Sequence, residues 1–412
     1  MKIIIRRGAN QIGGCVTEIA TKRSRILVDL GCNLPGNDTP NFTTDEIKNL
    51  CKGVNAIFYT HYHGDHIGHI DDVPIDVEQY IGEAAKEAMM CKYETLNQYQ
   101  DYEKTIRSIE RMKLYYVLRN VCINGGDIKV TPYFVSHSAA DAYMLKIEAE
   151  GLTILHTGDF RKHGYLGKGL IPTLEKYIKQ IDLLIIEGTM LSRRSETVNH
   201  EVSIQKEAIN LLKGTSCKSL FALCSSTDID RLASFHAACQ KTGATFVCDS
   251  YQKKMLDVFT KHFGTKSPLY NFGDTFVIGD NCNFNKDLKS KGFIMPIRPS
   301  MTRLVQKMRY YFPEAELIYS IWKGYYSGTE KQINPDVVQL VKLFEGKTHY
   351  LHTSGHADVE TLQDVCRMTG PRLGIIPIHK EKTSYYESLP IAKEYHIISS
   401  STEIDNIIIE IK

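Results

Sequence analysis

An α/β chain with a second α/β block inserted into the first is the fold class this sequence predicts, on three observations. Short apolar strands fill the N-terminal third, regular helix-strand alternation begins near residue 195, and strand-helix-strand character returns after residue 350. The first domain therefore closes only after the second is complete. So drawn, the domains are 1–195 with 350–412, and an inserted block at 196–349.

Residues 3–5, 17–20, 25–30 and 56–59 are apolar or alternating runs broken by Gly, Asn and Pro, which predicts the strands of a sheet. Residues 83–118 read as a Tyr-rich helical stretch of mixed charge. There Tyr93, Tyr99 and Tyr102 suit either RNA stacking or a plain exposed helix. Strands follow at 129–135, 143–148 and 153–156. In the inserted block one helix puts Ile204, Ala208, Leu211 and Leu212 on a single face, and another does so with Val337, Leu340, Val341 and Phe344. Buried-strand candidates lie at 219–224, 244–248 and 317–322. The last strand, helix and strand run through YLHTSGHADVETLQDV and RLGIIPIHKEK.

The balance of 42% hydrophobic and 24% charged residues in 412 is globular and leaves room for a substantial core. No apolar run approaches the roughly 20 residues that cross a bilayer. The start MKIIIRRGANQIGG carries its charges after its apolar residues, the wrong order for a signal peptide, so a cytoplasmic protein without membrane attachment is expected. Eleven cysteines with no C-x-x-C pair read as small buried hydrophobes. A net charge of +2 neither demands nor forbids a nucleic-acid partner, and the basic runs Lys22-Arg23, Arg193-Arg194 and 286–291 read singly as solvated faces.

YTHYHGDHIGH, residues 59–69, holds four of the chain's fifteen histidines. At the end of a strand His61 and His63 share one face, and Asp65 and His66 fall where a helix would begin after a turn at Gly64. Two ligand pairs aimed across one cleft build two neighbouring metal sites. The cluster holds no cysteine, and His with carboxylate ligands marks a catalytic centre more than a structural zinc.

This H-x-H-x-D-H run after a strand resembles the metallo-β-lactamase superfamily of hydrolases, which implies an αββα sandwich and further ligands downstream. On the resemblance, His61, His63 and His137 (in YFVSHSAAD) hold a first ion and Asp65 with His66 a second. Asp159 (in LHTGDFR) bridges them, and Asp29 (in ILVDLG) supports the site from behind. Flavodiiron relatives carry Glu at the position of His63, so a redox role is disfavoured.

The inserted block resembles the β-CASP group of nucleases, giving a Rossmann-like insert. The group's later motifs match Glu187 in LLIIEGT, His356 in TSGHA and His379 in IIPIHKEK. A final histidine is similar to the members acting on RNA and is usually missing from DNA-repair members such as Artemis. The resemblance makes His379 the last ligand of the second ion and His356 with Glu187 a general-acid dyad, with Asp65 also catalytic. Ser354 beside Gly355 is a phosphate contact or a helix cap, and Ser225 and Ser226 in CSSTDIDR are 5′-phosphate contacts or caps. RRGANQIGGCVTEI, SGHA and AELIYSIWKGYYSG look most like ribonuclease J. Three departures stand out: Lys380 where that family has Gly, Glu187 where it tends to have Asp, and an end at Lys412 before its C-terminal domain. His69, His156, His236 and His352 have no assigned role, and His236 reads as a core histidine on an apolar helix face.

The expectation is a ribonuclease with two zinc ions, manganese being an acceptable substitute, that hydrolyses single-stranded RNA from the 5′ end, internally, or both. A homodimer is compatible with this. Competing readings are a DNA nuclease or small-molecule hydrolase on the same fold, and a non-catalytic RNA-binding subunit.

Overall fold

A computed structural model describes residues 1–37, 39–196, 198–214, 218–279, 286–344, 346–400 and 407–411; Cys217 and Cys282 fall outside them. The chain forms two compact units, Met1–Thr197 with Gly355–Lys412, and Val198–Ser354.

The first unit is built on two sheets. One runs Ile407–Glu410, Lys2–Arg7, Val16–Ala20, Arg25–Val28, Ala56–Phe58, Glu78–Ile81 and Lys113–Leu114. The other runs Gly374–Ile378, Leu183–Glu187, Leu152–His156, Ala142–Ala149, Ile128–Val135 and Val121–Ile123. Alternate side chains on a strand face opposite ways. Ile3, Ile5, Ile26, Val28 and Phe58 of the first sheet thus share one apolar core with Val130, Leu145, Ile154, Ile185 and Ile376 of the second. The intervening residues face outward on each side. Leu27 and Ile57 bury under the helices Thr44–Cys51, Glu83–Leu96 and Glu103–Glu110, while Leu155, Leu184 and Ile186 bury under Val359–Thr369. The layering is αββα.

The first sheet's strands Arg25–Val28 and Ala56–Phe58 are parallel, as are Leu152–His156, Leu183–Glu187 and Gly374–Ile378 of the second. Their carboxyl ends are where the chemistry-bearing residues fall.

Residues 83–118 are not one helical stretch. The helix Glu83–Leu96 ends, Asn97 Oδ1 accepts the Tyr102 amide at 2.7 Å, and a second helix Glu103–Glu110 leads into the strand Lys113–Leu114. Tyr93 and Tyr102 pack on each other, with ring centroids 5.3 Å apart.

The second unit is a parallel sheet in the order Phe276–Val277, Thr245–Cys248, Phe293–Ile297, Ser219–Leu223, Glu316–Tyr319, Thr348–Tyr350. The strand Phe293–Ile297, which contains Pro296, is not among the strands expected from the sequence. Thr245–Cys248 pairs with it only at Phe293 and Ile294, so the missing amide of Pro296 lies beyond that ladder. His236 is a core histidine, with Nε2 2.5 Å from Asp274 and its ring against Phe246 and Phe272.

Arg231 and Glu201, both without exposure, form this unit's central ion pair: Nη2 to Oε1 is 3.0 Å and Nε to Oε2 is 3.2 Å. The guanidinium also donates to the carbonyls of Ser320 (2.9 Å) and Thr353 (3.3 Å). Arg231→Ala would take the cation from a fully buried carboxylate, and we expect a loss of about 3–5 kcal/mol in urea unfolding. A change below about 1 kcal/mol would show that the pair does not hold the unit together.

Candidate metal centre

After the strand Ala56–Phe58, the Thr60 amide donates to Asp29 Oδ1 at 2.7 Å and so fixes where His61 begins. His63 is extended (φ −68°, ψ 146°) and caps the short helix Gly64–Ile67, whose first turn carries Asp65 and His66. Gly64 is not what permits this turn: its φ is not left-handed, and a Cβ there would meet nothing within 4 Å. The indispensable glycine is Gly31, whose Cβ would lie 1.7 Å from the Asp65 carbonyl oxygen. That close approach lets the Leu30 amide donate to the His66 carbonyl at 2.7 Å.

Other strand ends supply the remaining residues. His137 follows Ile128–Val135, Asp159 follows Leu152–His156, Glu187 is the last residue of Leu183–Glu187, and His379 follows Gly374–Ile378. Asp29 (φ 61°) and His379 (φ 50°) hold left-handed conformations unfavourable to residues with a Cβ. Each is over-determined by its contacts. Asp29 binds Thr60 and His66, and the His379 amide donates to the Gly8 carbonyl at 2.6 Å.

The ring nitrogens of His61, His63 and His137 lie within 4.8 Å of one another, and so do the donor atoms of Asp65, His66, Asp159 and His379. Asp159 Oδ2 is 4.0 Å from His61 Nε2, 3.2 Å from His66 Nε2 and 3.6 Å from His379 Nε2, which places it against both groups.

Four of these imidazoles are anchored through Nδ1–H, each on its own acceptor. His61 donates to Thr60 Oγ1 (3.1 Å), His66 to Asp29 Oδ2 (2.8 Å), His137 to the Gly355 carbonyl (2.7 Å) and His379 to Thr189 Oγ1 (2.7 Å). The Thr60 hydroxyl in turn donates to Asp29. An imidazole whose Nδ1 carries the proton presents a lone pair at Nε2. Hence His61 and His137 both turn an Nε2 lone pair toward His63 Nδ1, each at 3.2 Å, and a single Nδ1–H there satisfies only one of them. His66 Nε2, fully buried, makes no hydrogen bond of acceptable geometry. A cation satisfies this arrangement, so the residues fit the divalent ions that the fold implies.

Burial holds His61 and His137 well below the usual histidine range and brings His63 down to about 4. Burial acts on His66 in the same sense, but Asp159, Asp29 and Asp65 outweigh it and carry His66 above that range. Against the upward push of burial, the surrounding histidines hold the carboxyls of Asp65 and Asp159 well below theirs.

His356 Nδ1 is 3.1 Å from Glu187 Oε2 and 3.6 Å from Asp159 Oδ2. Glu187, with no exposure, also accepts the amides of Phe160 (3.2 Å), Thr189 (3.3 Å) and Ala357 (3.3 Å), so its position is fixed by backbone. Burial lowers the His356 pKa, but Glu187 and Asp159 more than offset it and raise the group above the ordinary histidine value.

His156, without a role in the sequence reading, links two strands under the site. Its Nδ1 accepts the Gly158 amide at 3.2 Å, which leaves Nε2–H to donate to Thr17 Oγ1, also at 3.2 Å. Lys380 is 4% exposed, with Nζ 3.4 Å from Asn10 Oδ1.

The phosphate candidates are not helix caps. Asp228 caps Ile229–Thr242, and Asp358 caps Val359–Thr369. Ser225 and Ser226 lie in the loop before the first of these helices: Ser225 Oγ accepts the Thr227 amide, and the Ser226 carbonyl accepts Gln252 Nε2 at 3.0 Å. Ser354 stands five residues ahead of the first residue of its helix.

Residues 24–222 match the beta-lactamase superfamily domain. The chain is 29% identical over 188 residues to an RNase J-like protein of Methanocaldococcus jannaschii, a match covering 44% of this chain and 41% of that one. It is 24% identical over 405 residues to ribonuclease J of Helicobacter pylori, covering 92% of this chain and 56% of that protein. The chain thus spans about half the length of these curated relatives. A crystal structure of a protein of unknown function from Enterococcus faecalis V583 superposes with a TM-score of 0.73 at 20% identity, covering 99% of both chains. Among the described residues no helix is long and apolar enough to cross a membrane.

Proposed function

We propose that this chain, a metallo-β-lactamase protein of RNase J-like sequence, is a metal-dependent ribonuclease that hydrolyses phosphodiester bonds of single-stranded RNA. One observation carries the reading. Seven side chains, from His61 to His379, converge with four imidazoles pre-turned by their Nδ1 partners. In this reading His61, His63 and His137 hold one zinc ion, Asp65, His66 and His379 hold a second, and Asp159 stands between. Manganese is a workable substitute for an imidazole and carboxylate set. Two such ions supply an acidified water and positive charge against a phosphate.

The chain's own residues do the rest. Thr60, Asp29, Gly355 and Thr189 orient the imidazoles, and Glu187 holds His356 by its Nδ1. His356 keeps the proton that the leaving oxygen needs. Residues 196–349 form the β-CASP insert of this reading. Ser225, Ser226 and Ser354 are the positions we propose for phosphate contacts. The working compartment is the cytoplasm, where the RNA is.

Treatment of purified protein with EDTA is expected to abolish cleavage of end-labelled single-stranded RNA, and added zinc or manganese to restore it. RNA cleavage indifferent to chelation, or DNA and small phosphodiesters cleaved as fast as RNA, would overturn the reading. Substrates with 5′ phosphate and 5′ hydroxyl ends separate exonuclease from endonuclease action: a preference for the phosphate with mononucleotide products marks the former.

A further inference from the structure

Cys15 stands immediately before the strand Val16–Ala20 and is 1% exposed. The sequence groups it with the other buried cysteines, but its surroundings set it apart. Its Sγ and one ring nitrogen each of His66 and His379 lie within 4.8 Å of one another. Among the described residues no other cysteine belongs to a cluster of metal-ligating atoms. The same two histidines form the second carboxylate group with Asp65 and Asp159.

The thiol is held there from several sides. The Cys15 amide donates to the Asp65 carbonyl at 2.9 Å, and its carbonyl accepts the Gly31 amide at 3.1 Å. Sγ lies against Gly8, 3.0 Å from where a Cβ would stand, and the Gly8 carbonyl accepts the His379 amide at 2.6 Å. A backbone bond therefore ties Cys15 to the segment of His66, and its packing on Gly8 sets it beside the segment of His379. His66, whose buried Nε2 makes no hydrogen bond, belongs to this same cluster.

We propose that Cys15 is a further donor to the second ion, resting on the metal-centre reading above. Imidazole and carboxylate accept zinc and manganese with little distinction, whereas a thiolate is soft and selects zinc and other thiophilic ions. Cys15 thus makes this position a zinc site and discriminates against manganese, which the other seven residues do not achieve.

The test is X-ray absorption at the zinc edge of the zinc-loaded full chain, with cobalt substitution as a second probe. Expected are one sulfur at about 2.3 Å from zinc and a near-ultraviolet sulfur-to-cobalt charge-transfer band. Both should vanish in Cys15→Ser and persist in Cys248→Ser, which removes another buried thiol. In zinc-manganese competition followed by metal analysis, Cys15→Ser should lose about tenfold or more of its preference for zinc. If Cys15→Ser fails to fold, the wild-type absorption spectrum decides alone. Two bound zinc ions with only nitrogen and oxygen neighbours would overturn the role of Cys15 and leave the metal centre standing. A chain that binds no zinc would overturn both.

Discussion

On the proposed two-ion reading, Asp65→Ala protein is expected to retain one ion instead of two, and to cleave single-stranded RNA roughly 10³-fold more slowly or worse. The arithmetic follows from the several kcal/mol that a second cation contributes to a phosphoryl transition state, each 1.36 kcal/mol being about tenfold. Asp65 is the carboxylate nearest His379, Oδ2 to Nε2 being 3.1 Å, and it shares His66 and Asp159 with it. Metal analysis and single-turnover cleavage measure the two effects. Asp65→Asn keeps the volume and guards against misfolding as the cause. Full activity in either folded variant would remove the second ion from the mechanism.

His356→Ala should behave differently: both ions stay, and cleavage falls about 10²–10⁴-fold. The distinction matters because Asp159, Glu187, His356 and His379 also present donor atoms within 4.8 Å of one another. A proton donor is needed only when the leaving oxygen is a poor leaving group. The defect should therefore shrink on a p-nitrophenyl phosphodiester, whose leaving group departs without protonation. Loss of an ion in the variant, or an equal defect on both substrates, would make His356 a ligand and not the acid. Glu187→Gln should reproduce part of the defect, since it weakens the partner that sits 3.1 Å from His356 Nδ1.

The strands and the first four residues of the centre were legible because they obey local rules, whereas the αββα layering came with the family resemblance. Period-two alternation puts Ile3 and Ile5 on one face of their strand, and sets Ile154 and Leu155 facing opposite layers. His61, His63, Asp65 and His66 announce themselves within six positions because one strand end and one helix turn suffice to aim them. His137, Asp159, Glu187 and His379 needed a family pattern as guide, since a histidine or acid after a strand is ordinary in itself. Other features leave no local trace. The left-handed backbone of Asp29 and His379 is stabilised by contacts from distant segments. Cys15 looks like any buried thiol until the fold sets it beside His66 and His379, and Gly31 looks like any loop glycine until the Asp65 carbonyl arrives. Asp228 and Asp358, and not the nearby serines, cap their helices, a choice decided by the helix register. Propensity alone joins 83–96 to 103–110, because the break depends on one asparagine side chain folding back.

Asp65 and His379 meet across 314 positions of chain. On a translating ribosome the early histidines emerge long before their last companion, so a nascent chain short of residue 379 lacks one donor of the proposed second site. The messenger being read is the nearest RNA to that growing chain. On the proposed ribonuclease reading, cutting waits until His379 has joined the residues made first.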